Sequence, residues 1–130
     1  MDLKRLSVKY IRDYAKSAYI KSNECYICSS EENLQFHHFC SVTPLWESWL
    51  RKNKIRIRSE QDVLDNRVEF VAQHKKQIYD DTITLCKSCH MDKLHKVFGK
   101  CPPIQTAKAQ AKWCVKMKIR VANKILEKNA

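Results

Sequence analysis

Leu34-Gln35-Phe36-His37-His38-Phe39 and Thr82-Ile83-Thr84-Leu85-Cys86-Lys87-Ser88-Cys89-His90 are the two stretches whose reading decides the fold. The first reads as a strand, with Leu34, Phe36 and His38 on one side and Gln35, His37 and Phe39 on the other. His37 and His38 therefore cannot do the same job. One can bind a metal while its neighbour faces a reacting group. The second stretch alternates β-branched and apolar residues from Thr82 to Leu85, which predicts a second short strand, and then enters a Cys-x-x-Cys pair. A helix is expected from about Ser88 to Phe98. Gly99, the only glycine, suits its C-terminal cap, and Pro102-Pro103 prevents continuation.

The Cys86–Cys89 pair has an identical counterpart at Cys25-x-x-Cys28. Together they supply four thiolates, the number a closed tetrahedral zinc site requires. One such pair alone could be packed thiols; two in a reducing setting favour structural zinc. Fifty-seven residues separate Cys28 from Cys86, so the ion would staple distant parts of the chain and contribute folding energy. Seven cysteines are an odd number, so disulfides cannot pair them all within one chain. Cys40, Cys101 and Cys114 lack metal-ligand spacing and read as core residues. Without a signal-peptide pattern or an apolar run long enough for a membrane span, a reducing cytoplasm is the expected location.

Outward from these motifs the chain reads as helices. Leu3, Leu6, Tyr10, Tyr14 and Ala18 recur at helical spacing between Leu3 and Lys21, opposite a basic face of Lys4, Arg5, Lys9, Arg12 and Lys16. Thr43-Pro44 looks like an N-cap and first helical position, opening a helix that holds Trp46 and Trp49. Ser59 and Asp62 resemble a capping box for a helix reaching about Gln77. Between these two helices Arg51, Lys52, Lys54, Arg56 and Arg58 place five bases in eight residues. The last helix is expected from Thr106 to Glu127, packing through Ala111, Val115, Ala122, Ile125 and Leu126. In it Lys108, Lys112, Lys116, Arg120, Lys124 and Lys128 recur every four residues. That stripe is either a phosphate-contacting face or an ordinary solvated one.

The chain carries 25 Lys+Arg against 14 Asp+Glu, a formal net charge of +11 over 130 residues. A polyanion is the leading partner, and 44% hydrophobic content excludes a disordered tail. The charge is uneven. Residues 101–130 hold seven basic and one acidic residue, whereas 25–100 hold twelve and ten. Four of the five histidines lie beside the two cysteine pairs, and His74 is assigned to the surface of the middle helix.

In this order, Cys25-x2-Cys28, Leu34-x-Phe36-His37-His38-Phe39 and Thr84-Leu85-Cys86-Lys87-Ser88-Cys89-His90 with His95 resemble the zinc-containing HNH endonucleases, the ββα-metal or His-Me finger group. The resemblance implies an α+β, mostly helical fold, with a ββα-metal core, a structural zinc held by four cysteines, and flanking helices. It implies one domain over 1–130, comprising a basic helix at 1–24, a zinc and HNH core at 25–100 with a helical insertion at 41–80, and a basic helix at 101–130. By position, His37 and His90 match ligands of a single catalytic ion, and His38 matches the general base acting on water. Asp81 falls where the family often has an asparagine that orders the loop and the base. His95 is five residues beyond His90, roughly 140° around a regular helix, so it joins as a third ligand only if the helix starts late or bulges. Imidazole ligands suit Mn²⁺, Ni²⁺ or Zn²⁺ better than Mg²⁺.

The expected function is therefore metal-dependent hydrolysis of DNA, most readily double-stranded, held by Arg51, Lys54, Arg56, Arg58 and the stripe of Lys108, Lys112, Lys116, Arg120 and Lys124. The alternative is a zinc-stabilised nucleic-acid-binding protein without catalysis. No helix segregates aromatic and basic residues strongly enough to favour a membrane surface.

Overall fold

The computed structural model of the chain describes residues 3–129. Helix α1 (Leu3–Ala15) runs into a 3₁₀ turn at Lys16–Ala18, and the first cysteine knuckle leads to strand β1 (Leu34–His38). Helices α2 (Val42–Lys52) and α3 (Glu60–Gln73) follow, then strand β2 (Thr82–Cys86), a wide helical turn at Ser88–Leu94, the short helix α4 (His95–Phe98) and α5 (Ala107–Lys128). β1 and β2 pair antiparallel in the register Leu34↔Cys86 through His38↔Thr82, so residues 39–81 form one long excursion between adjacent strands. The expected side-chain alternation is present. Phe36 and His38 share one face with Tyr19, while Gln35 and His37 turn toward His90.

Two apolar cores flank this ribbon. In one, α1, α2 and α3 bury Ile11, Ala15, Trp46, Trp49, Val63 and Phe70. Phe70 is fully buried with Trp46 edge-on at 5.1 Å and Trp49 at 5.5 Å, a packing that favours one aromatic geometry over simple contact area. The other core joins the knuckles and ribbon to α5 through Ile27, Leu85, Leu94 and Cys114. The excursion between the strands thus completes a core with the N-terminal helix.

Several expectations shift. α1 buries Ser7, Ile11 and Ala15 rather than the Leu3–Tyr14 row, and Tyr14 and Ala18 are exposed. The smaller face sits inward because Arg67 of α3 holds the α1 backbone at Tyr10 O (3.0 Å) and its guanidinium covers the Tyr14 ring at 5.3 Å. The N-cap position of α2 falls at Ser41, two residues before the expected Thr43, but the Ser41 hydroxyl caps no amide and donates to the Pro102 carbonyl at 2.8 Å. Ser59 does cap α3, accepting from Asp62 N, but the helix ends at Gln73, with the His74 ring bonded to Phe70 O.

The largest shift is in α5. Its inward face is Gln110 and Cys114, with Ala107, Trp113, Met117 and Val121 against the two cores. Val115, Ile125 and Leu126, expected to pack, are exposed, as is Ala122. A helix with apolar residues on more than one side does not reveal which side the body occupies. Cys101, expected in the core, is exposed, whereas Cys40 and Cys114 are buried as expected.

Candidate metal centres

Each knuckle is pinned by the strand beside it. Tyr26 N donates to Thr84 O at 3.0 Å and Lys87 N to Asn33 O at 2.8 Å. Ser29 adopts φ 63° so that its amide can reach the Cys25 carbonyl at 2.9 Å. This folds Cys25, Cys28, Cys86 and Cys89 together, with one ligand atom from each within 4.8 Å of the others. Cys28 Sγ and Cys86 Sγ lie 3.7 Å apart, and the Cys89 amide donates to Cys86 Sγ. Burial and the neighbouring sulfurs push the Cys28 and Cys89 thiols up. Burial also raises Cys25, but backbone hydrogen bonds from Cys28, Cys86 and Ile27 outweigh it and bring that thiol down to about 7. Four sulfurs crowded this closely disfavour one another's charge, and a divalent cation removes the conflict. The set fits a closed, structural zinc site.

The second group is His37, His90 and His95. The wide turn at Ser88–Leu94 explains the five-residue spacing. His95 N donates to His90 O, an i→i+5 bond, so one extra residue per turn brings both rings to the same side. His90 Nε2 then lies 2.9 Å from His95 Nε2 and 2.9 Å from His37 Nδ1.

The opposite nitrogen of each ring settles the tautomers. His37 Nε2 lies 2.7 Å from Gln110 Oε1, and the Gln110 amide nitrogen is already committed to Phe39 O and Thr106 Oγ1. Gln110 must therefore accept, and His37 Nε2 carries the proton. His95 Nδ1 donates to the Gly99 carbonyl at 2.7 Å, and His90 Nδ1 lies 2.7 Å from Gln35 Oε1. All three protons point outward, leaving three lone pairs facing one point. Burial holds His37 and His90 down to about 4, so both are neutral near pH 7. Unprotonated nitrogens in mutual contact repel unless a cation sits among them. Three imidazoles converging this way are a donor set that could hold a divalent ion.

The same cleft, about 260 Å³, is lined by His37, His90, His95, His38, Arg12 and Lys100 among others. His38 Nε2 is, among the described residues, the buried side-chain nitrogen or oxygen with no hydrogen-bond partner. Burial, with the charge of Arg12, holds its ring down to about 4, against the opposing effect of the Ile78 backbone. His38 is thus neutral near pH 7, and it lines the cleft.

Asp81 is placed differently from expectation. Its carboxylate is turned to Lys76 Nζ at 3.0 and 3.1 Å, and its carbonyl accepts from Phe39 N, so it braces the loop at the strand end. Lys76, five residues earlier on the same turn, holds the carboxylate in place of the His38 ring. Arg51, Lys54, Arg56 and Arg58 are exposed on the connector, and Lys108, Lys112, Lys116, Arg120 and Lys124 are exposed on α5.

Gln35 and Gln110 escaped the sequence reading. Gln35 shares the strand face of His37, a period-two signal that points to it. Gln110 is 73 residues from His37, and its single clue is an uncharged polar residue one turn before Cys114. Because it orients a ligand without touching the ion, Gln110→Ala should weaken metal binding at the histidine site by about 10–100-fold and leave the cysteine site loaded. Gln110→Glu keeps the acceptor for His37 but loses the donor to Phe39 O and Thr106 Oγ1, and should recover only part of that affinity. Calorimetric titration of the zinc-loaded protein measures both, and an unchanged affinity in Gln110→Ala removes the positioning role.

The fold brings together two candidate metal-binding groups, four cysteines and three histidines, the second beside a basic cleft. Over residues 1–129 the chain matches the family model for phage T5 nicking endonucleases, described as the nicking endonuclease family. The chain belongs to that family, and it is accordingly a nuclease whose substrate is DNA. No solved structure matches it. Among the described residues no helix is long and apolar enough to cross a membrane.

Proposed function

We propose that the chain nicks duplex DNA by metal-dependent hydrolysis of the HNH, ββα-metal type, with His38 as general base. The observation that carries this reading is the unpartnered Nε2 of His38, a residue whose ring lines the cleft that also receives His37, His90 and His95. A buried acceptor without a partner is costly unless something arrives to use it, and here the proton of an attacking water can.

The steps follow from the side chains. A phosphodiester entering the cleft meets Arg12 and Lys100, which neutralise it. Pairing with the phosphate offsets the Arg12 charge that holds His38 down, moving the ring toward the range where it can take a proton from the attacking water. The Ile78 backbone holds the ring as Nε2 gives its lone pair to that proton and stabilises the imidazolium formed. A divalent ion held by His37, His90 and His95 would supply Lewis-acid stabilisation of the scissile phosphate and of the leaving oxygen. One such cleft per chain addresses one strand, in keeping with a nicking family.

Supercoiled plasmid with a panel of metals tests this. Nicked circles should accumulate before linear product, and rates with Mn²⁺ or Ni²⁺ should exceed those with Mg²⁺. Equal or faster cutting with Mg²⁺ would count against three imidazoles as the ligand set, and no cutting with any metal would overturn the proposal.

A further inference from the structure

Three hollows on the surface join end to end through shared basic residues. The catalytic cleft shares Arg12, Thr43 and Lys100 with a second hollow along α1, which Lys9 also lines. The second hollow shares Lys4 with a third, lined by Arg51, Lys54 and Arg56 of the connector. Two carboxylates lie on this course, and each is matched by a lysine: Glu47 with Lys4 at 3.1 Å, and Asp13 with Lys16 at 3.9 Å. The course is therefore a basic trough that ends at His38. α1 spans 13 residues, about 20 Å at ~1.5 Å per residue, which is the length of about six nucleotides of a B-form strand at ~3.4 Å each.

The α5 stripe lies elsewhere. Gln110 and Cys114 are its buried side, and Lys108 and Lys112 stand about 160° around the helix from Gln110. They face away from the body, including the histidine cluster that Gln110 supports.

We propose that the cut strand lies in this trough, its phosphates passing the connector and α1 before reaching the cleft between Arg12 and Lys100, and that the α5 stripe is outside the path. The proposal rests on the nuclease reading for what happens in the cleft. The path itself is read by binding alone.

Two variants of equal charge loss separate the faces: Lys9→Ala/Arg51→Ala/Lys54→Ala/Arg56→Ala and Lys108→Ala/Lys112→Ala/Lys116→Ala/Arg120→Ala. All eight side chains are exposed, and thermal melts establish that both variants fold. Anisotropy of a labelled duplex is followed across a salt series, alongside plasmid nicking by the wild-type protein. The trough variant should bind at least tenfold more weakly and lose about 0.9 from its log–log salt slope for each phosphate contact removed. The α5 variant should stay within threefold of wild type. An α5 loss equal to or greater than the trough loss overturns the path. If wild type binds through the trough but never nicks, the nuclease reading fails while the path stands. If it nicks and the trough variant binds normally, only the path fails.

Discussion

His38→Ala should lower the nicking rate by about 10²–10⁴-fold, the range a positioned general base contributes, while duplex binding and metal content stay near wild type. The split is expected because His38 is on the opposite strand face from His37. It therefore leaves the three converging ligands, Gln35 and Gln110 in place. Its ring does pack against Phe36 at 5.2 Å and Tyr19 at 5.3 Å, so alanine also opens a gap. His38→Gln fills more of that space without a basic nitrogen and should be as inactive as alanine, although better packed. Plasmid nicking, duplex anisotropy and metal analysis on the same preparations check the result. An active His38→Gln protein moves the base elsewhere. Loss of metal from either variant would instead place His38 among the ligands.

Cys86→Ser/Cys89→Ser should unfold the ribbon half of the molecule. Structural zinc sites supply about 10–16 kcal/mol of apparent binding energy at neutral pH, comparable to the whole stability of a small domain at about 5–15 kcal/mol. Cys25, Cys86 and Cys89 are themselves members of the core around Leu85 and Leu94, so no alternative packing replaces the lost ion. Circular dichroism should show a lost or non-cooperative melt, and the purified variant should hold no tightly bound zinc. Cys101→Ser, at an exposed thiol, should melt like wild type. A cooperative, near-normal melt of the double variant would show that the thiols pack without a cation.

The parts legible in the sequence are those whose signal is local. Alternation places His37 and His38 on opposite faces whatever surrounds them, and a Cys-x-x-Cys pair turns both sulfurs to one side because two residues make a tight knuckle. Ser59 caps α3 because its hydroxyl needs only an amide three residues ahead. What escapes such reading depends on competition between distant groups. Asp81 reads as a partner of His38, but Lys76 is nearer to its carboxylate. The Thr43-Pro44 signal for a helix start is overridden by the chain just before it, with Ser41 tied to Pro102.

The histidine spacing marks the boundary between the two kinds of information. From the order of residues alone come two cysteine knuckles, a His-His strand and a His90–His95 pair, arranged to suit two metal sites on a basic chain. A five-residue gap alone leaves His95 on the wrong side of a regular helix. Only in the folded chain does the turn widen to an i→i+5 bond, because Cys89 is held at the sulfur cluster while Gly99, at φ 94°, presents its carbonyl to the His95 ring. Folding likewise brings Gln110, from the far end of the chain, to hold His37, and gathers Arg12, His38 and Lys100 around one cleft. These are long-range contacts, each set by shape and hydrogen bonding between segments far apart in the chain, and no local pattern records them.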